Sequence, residues 1–209
     1  MQLNLTVLAK SDKHTGYCVA AIDPLGRIIR LVRDKEGHAL TEEQCKFKKL
    51  DRIVANVIHA PLKHQKENYI LIDLVEAHKA STRIDNFVKY LHNPPFIFSN
   101  TDPSLDKKEL AKQKSTFSFV AIDDLIIYRN DEDKHKVDFI YNDQLYKGFS
   151  ITDPEFKARE RKIAKAIILV SLPDAPYARY GHELYYKFIC AVYPIKVQKG
   201  FDPLDCFRI

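Results

Sequence analysis

Residues 64–68, His-Gln-Lys-Glu-Asn, set five polar side chains between two apolar runs in the stretch "PLKHQKENYILID". His64 and Glu67 are side chains that can act as general acid or base, and Gln65 and Asn68 add amide donors and acceptors. Three readings are open: an ordered connection in which Glu67 and Asn68 bond backbone groups left unpaired by the loop, a ligand contact, or a catalytic pair. Catalysis lacks its other parts. The chain holds no G-x-S-x-G elbow, no G-x-x-x-x-G-K-S/T loop, no H-E-x-x-H helix and no G-x-G-x-x-G turn. Six glycines leave little from which to build a phosphate cradle. Asp23, Asp73 and Asp123 are scattered carboxylates that suit turns and strand ends as well as a nuclease centre. The expectation is a non-enzymatic protein with no catalytic residue, no metal and no cofactor. Cys18, Cys45, Cys190 and Cys206 form no C-x-x-C pair and read as reduced thiols.

A second group of side chains suits an extended anion, which needs cations along its phosphates and flat faces for its bases. Lys10, Lys13, His14 and Tyr17 flank the first strand-to-strand connection. Arg30, in "GRIIRLVR", shares a face with Ile28 under the period of two and is expected to project outward from its sheet. Tyr186 and Lys187 occupy a comparable place far downstream. With His64, Gln65 and Asn68, these residues make up the candidate nucleic-acid contacts. Each has a plainer alternative: Arg27, Arg30 and Arg33 as solvated strand charges, Tyr17 as core, Lys187 as the partner of a carboxylate. The run "RNDEDKHK", residues 129–136, reads as a solvated hairpin tip whose three acids repel a polyanion.

The elements that must position these side chains are short and mostly β. "LNLTVLA", "YCVAAID", "RIIRLVR", "RIVANVIHA" and "YILIDLVEA" are rich in β-branched residues and bounded by turn formers. "DPLG" supplies a hairpin turn, and Thr41 with Gln44 has the spacing of a capping box, predicting a helix between the third and fourth strands. The second half offers "LIIYRN", "KVDFIYN", "QLYKGFSI", "AIILVSL" and "YKFICAVY". A helix is predicted before the fourth of these, with Asp153 as N-cap and Pro154 in its first turn. Three strands, a helix and two strands, stated twice, is the order of the five-stranded Greek-key barrel called the OB-fold. The expected class is mainly β with short helices: two OB-like barrels, residues 1–82 and 116–209. A partly helical linker over 83–115 joins them, in which Phe87 and Leu91 precede a helix-ending Asn93-Pro94-Pro95 and a second helical turn covers 106–113.

Taken together, "AKSDKHTGYCVAAID", "RIIRLV", "PLKHQKENYILID" and "YYKFICAV" resemble the dual OB-containing domain family of prokaryotic proteins, nearly end to end. The corresponding positions are Ser11 to Gly16, Cys18 to Ala20, Ile29 to Val32, His64 to Asn68 and Tyr186 to Ala191. Leu31 stands where proline is usual and Ile28 where the family often has tryptophan, which removes one stacking platform. The resemblance implies nucleic-acid sensing or binding in systems associated with prokaryotic conflict and defence.

The bulk properties agree with a folded chain. Its 209 residues are 45% hydrophobic and 29% charged, ordinary for a globular protein. The net charge of +5 falls on residues 1–114, with 19 Lys+Arg against 14 Asp+Glu; residues 115–209 balance at 14 and 14. No apolar run approaches the roughly 18 residues needed to cross a bilayer, and the N-terminus lacks the pattern of a secretory signal. A cytoplasmic location and a single-stranded DNA or RNA partner are expected. A protein-interaction or small-ligand sensor module is the alternative.

Overall fold

The computed structural model describes residues 1–13, 16–79, 83–158, 160–179 and 182–195. Strands β1 (Gln2–Lys13), β2 (Gly16–Ile22), β3 (Ile28–Val32), β4 (Arg52–His59) and β5 (Asn68–His78) close into a barrel in the order β1-β2-β3-β5-β4. β3 and β5 run parallel, with Arg30 opposite Asn68; the other neighbours are antiparallel. The connecting segment holds a 3₁₀ turn at Ile84–Tyr90, the two-residue strand β6 (Ser104–Leu105) and helix α1 (Lys107–Ala111). Asp106 and Glu109 cap α1 reciprocally, as the charged sequence around 106–113 predicts.

Strands β7 (Phe117–Arg129), β8 (His135–Tyr141), β9 (Gln144–Ile151), β10 (Arg161–Ser171) and β13 (Phe188–Pro194) form the second closed barrel, β10-β13-β9-β8-β7. Its parallel pair is β9 with β13, so the connectivity of the first barrel is repeated and both match the expected Greek key. Strands β11 (Tyr177–Arg179) and β12 (His182–Tyr186), with β6, make a small three-stranded sheet beside it.

The two predicted helices before the fourth strand of each barrel are corrected. Thr41 N–H reaches Gln44 Oε1 at 3.0 Å and Gln44 N–H reaches Thr41 Oγ1 at 3.4 Å, so the capping box forms. Only a turn follows, because Cys45 and Phe47, at alternate positions, are both drawn into the first barrel's core. Asp153 likewise caps a single turn, its carboxylate accepting from Glu155 N–H at 3.0 Å. The chain is already β from Arg161 onward, where a longer helix was expected. Short helical signals lose to burial of alternate residues of an extended chain.

Farther along the strands, both faces are buried, at residues 19–22 of β2 and 166–170 of β10. On β10, Ala166, Ile168 and Val170 point into the second barrel, while Ile167 and Leu169 join a separate apolar cluster. On β2, Val19 and Ala21 face the first barrel's interior, while Ala20 and Ile22 join that same cluster. With Leu8, Phe87, Phe117, Phe119, Cys190 and Tyr193, it forms an apolar layer where the barrels meet. Tyr193 donates its hydroxyl hydrogen to the Leu8 carbonyl across this layer.

Candidate functional site

At the edge of that layer lies a cleft of 530 Å³ with walls from both barrels. The first barrel contributes the end of β1 and start of β2 (Lys13, Tyr17, Cys18), β3 (Arg30) and the β4–β5 connection (Gln65); the second contributes Ser171, Asp174 and Phe188. Gly16 begins this wall at φ 148°, with the ideal Cβ position only 2.1 Å from the Leu40 carbonyl oxygen. Only glycine fits there. Tyr17 then exchanges backbone hydrogen bonds with Leu40, at 2.8 and 3.0 Å, which fixes the strand that carries its ring. The Lys10 ammonium sits 4.3 Å from the Tyr17 ring centroid and is held there by the carbonyls of Cys45 at 2.6 Å and Phe47 at 3.3 Å.

The His64–Asn68 segment is the brace between barrels. Leu62 and Gln65 exchange backbone hydrogen bonds at 3.1 and 2.9 Å around Lys63, whose φ is 53°. This tight turn carries His64 and Gln65 to the second barrel. His64 Nε2 lies 2.7 Å from the Pro173 carbonyl, so that nitrogen carries the ring proton. The His64 ring meets Tyr185 edge-on at 5.4 Å, and Gln65 Nε2 donates to the Leu172 carbonyl at 3.4 Å. Glu67 accepts from the Thr116 backbone N–H at 3.2 Å and from the Thr116 hydroxyl. Asn68, fully buried, donates to Gln65 Oε1 at 3.2 Å, and its own Oδ1 has no partner among the described residues.

Arg30 leaves the outer face of its barrel as expected, with Ile29 and Leu31 turned into the core, but that face is covered and not open to solvent. Its side chain is 9% exposed, and Nη2 donates to Thr116 Oγ1 at 2.9 Å and to the Leu172 carbonyl at 3.2 Å. Glu67 lies 3.9 Å away, and the guanidinium stacks 4.4 Å from the Phe117 centroid. The second barrel covers the face on which the period of two places Arg30, so the charge sits in the cleft wall instead of in solvent. Its Nε is buried with no partner among the described residues.

Lys187, expected at a ligand surface, is fully buried. Its ammonium donates to Ile97 O (2.8 Å), Asn100 O (2.8 Å) and Asn100 Oδ1 (2.6 Å). These oxygens flank Phe98 (φ 54°) and Ser99 (φ 75°), two non-glycine residues in the left-handed region, so Lys187 pins a strained turn. Burial pulls its ammonium down to about 7, partly opposed by Glu109 and Asp102. Tyr186 lies outside the cleft, its ring 6.0 Å from that of Tyr177. Lys13 is half-exposed and faces Asp174 at 3.5 Å. Burial raises the Asp174 carboxyl, but Lys13, a backbone hydrogen bond and Arg30 together hold it below its ordinary range. His14 lies outside the described residues. Of the predicted contacts, the structure brings Lys13, Tyr17, Arg30 and Gln65 together in one cleft, with Lys10 supporting the Tyr17 ring from the same barrel.

The match to the dual OB-containing domain runs over residues 3–192. The chain belongs to that family. Its His-Gln-Lys-Glu-Asn segment is therefore, in this member of the dual OB-containing domain family, the fourth connection of the first barrel, seated against the equivalent connection of the second. Curated proteins include no match to this chain. Asp34, Glu36 and His38 bring three metal-type ligand atoms within 4.8 Å of one another on an exposed turn. Among the described residues, no helix is long and apolar enough to span a membrane.

Proposed function

We propose that this chain is a non-enzymatic nucleic-acid-binding module whose ligand enters the cleft between the barrels. One observation carries the reading: the cleft lies on the β2–β3 side of the first barrel, between its first and fourth connections. That is the surface on which OB barrels take oligonucleotides. Tyr17 supplies a flat face, Lys13 and Arg30 supply positive charge, and Gln65 supplies an amide. Single-stranded DNA or RNA suits such a site better than a duplex, because an unpaired base can leave its stack to meet a ring. The role agrees with nucleic-acid sensing in prokaryotic defence, which membership of the family suggests, and with a cytoplasmic location.

Titration of labelled single-stranded and double-stranded oligonucleotides at two salt concentrations tests the proposal. The single strand is expected to bind, with affinity falling as salt rises. Absence of binding at low salt contradicts it. A small-ligand or protein-interaction module is the second reading, favoured by Asp174, which already occupies Lys13 at the cleft mouth.

A further inference from the structure

We infer that the cleft receives one nucleotide unit, free or at the end of a strand, and excludes the middle of a continuous strand; the inference rests on the nucleic-acid reading above. Capacity is the first reason. A volume of 530 Å³ falls within the roughly 300–1,000 Å³ that encloses one drug-sized molecule. A groove that tracks a single strand across an OB barrel serves about 4–16 nucleotides.

Charge is the second. The cleft is lined by Lys13 and Arg30 against Asp12 and Asp174, with His38 beside them. A strand-tracking groove needs a run of cations to follow successive phosphates; this wall offers a balanced set with two cationic points. One phosphate can displace Asp174 from Lys13 and face the Arg30 guanidinium in the cleft wall, whose Nη2 is held by Thr116 and the Leu172 carbonyl and whose nearest carboxylate oxygen, of Glu67, is 3.9 Å away.

Closure is the third. Lys13 reaches Asp174 and Lys157 reaches Asp12, both from one barrel to the other. On the side of the fourth connection, His64 and Gln65 bond the carbonyls of Pro173 and Leu172. A threaded strand must break cross-barrel contacts; a terminal unit enters from the mouth. Its base stacks on the Tyr17 face opposite Lys10, with Phe188 contributed by the second barrel.

The test compares a labelled linear single-stranded oligonucleotide, a covalently closed circle of the same sequence, and an equimolar mixture of the four ribonucleoside monophosphates as competitor. The linear form is expected to bind about tenfold or more tightly than the circle, since the circle presents no end to stack in the cleft. The monophosphates are expected to displace the linear form. A linear oligonucleotide that binds more tightly than the monophosphates identifies a strand end as the ligand; monophosphates that bind as tightly or more tightly identify the free nucleotide. Equal affinity for circle and linear form overturns the inference while leaving the nucleic-acid reading intact. Failure of linear form and monophosphates alike overturns both.

Discussion

Arg30 and Thr116 stand 86 residues apart in the chain and 2.9 Å apart in space, a buried hydrogen bond from the first barrel to the residue that opens the second. Glu67 completes the arrangement by accepting from Thr116 while facing Arg30. Removing the carboxylate leaves a buried guanidinium with weaker compensation. Glu67→Leu is expected to lose about 3 kcal/mol of stability in urea unfolding, and Arg30→Met combined with Glu67→Leu to lose less than the sum of the two single changes. Additive losses would show that the pair is not coupled.

Lys187 has a signed pH dependence. Its ammonium is held at about 7 in the folded chain, against an ordinary value of 10.5. Between those values the unfolded chain binds more protons, so this group makes stability rise with pH from about 7 upward, by up to about 1 kcal/mol per pH unit. The window is best read from pH 7 to 8, below the range where ionisation of Cys45, Cys190, Tyr141 and Tyr193, all raised by burial, opposes it. Lys187→Met is expected to abolish the rise, measured as the difference in unfolding free energy between wild type and variant across that window. An identical slope in both proteins would remove Lys187 as its source.

The barrel order was legible from β-branched runs, and the linker's second helical turn from its charges. The interface was written in the same residues less openly. "AIILVSL" and "YCVAAID" fail to alternate, and a strand apolar at every position is buried on both faces. What the sequence alone does not say is which element covers the second face. Arg30 therefore reads as an outward charge and Lys187 as the partner of a phosphate or a carboxylate, although Arg30 meets the other barrel and Lys187 meets the linker carbonyls. Asp174, Ser171 and Phe188 carried no signal as site residues, because their position in the cleft depends wholly on how the barrels dock.

Cysteine chemistry reports on the cleft. Burial pushes the Cys45 thiol up to about 11 and the Cys190 thiol up to about 12, and thiols kept protonated react slowly. Cys18 is half-buried and lines the cleft. In a Cys206→Ser background, mass spectrometry after brief alkylation is expected to find Cys18 modified first, with saturating oligonucleotide slowing that modification. Faster labelling of Cys45 or Cys190 would contradict the burial described.

Gly16→Ala tests the wall that carries Tyr17. A methyl group meets the Leu40 carbonyl oxygen at 2.1 Å in a backbone conformation that side chains rarely adopt. The expected cost is about 2–4 kcal/mol, read as a lower midpoint in thermal unfolding, with weakened oligonucleotide binding under conditions where the variant remains folded. An unchanged midpoint would mean that the β1–β2 turn relaxes freely.

The most direct measurement compares oligonucleotide affinity in Tyr17→Ala and Tyr186→Ala, one ring lining the inter-barrel cleft and the other paired with Tyr177 outside it. Loss of about 1–3 kcal/mol of stacking is expected for Tyr17→Ala, a weakening of roughly 5- to 150-fold, with Tyr186→Ala binding as wild type does. Undiminished binding by Tyr17→Ala, with the loss appearing in Tyr186→Ala, would place the ligand elsewhere and contradict the account.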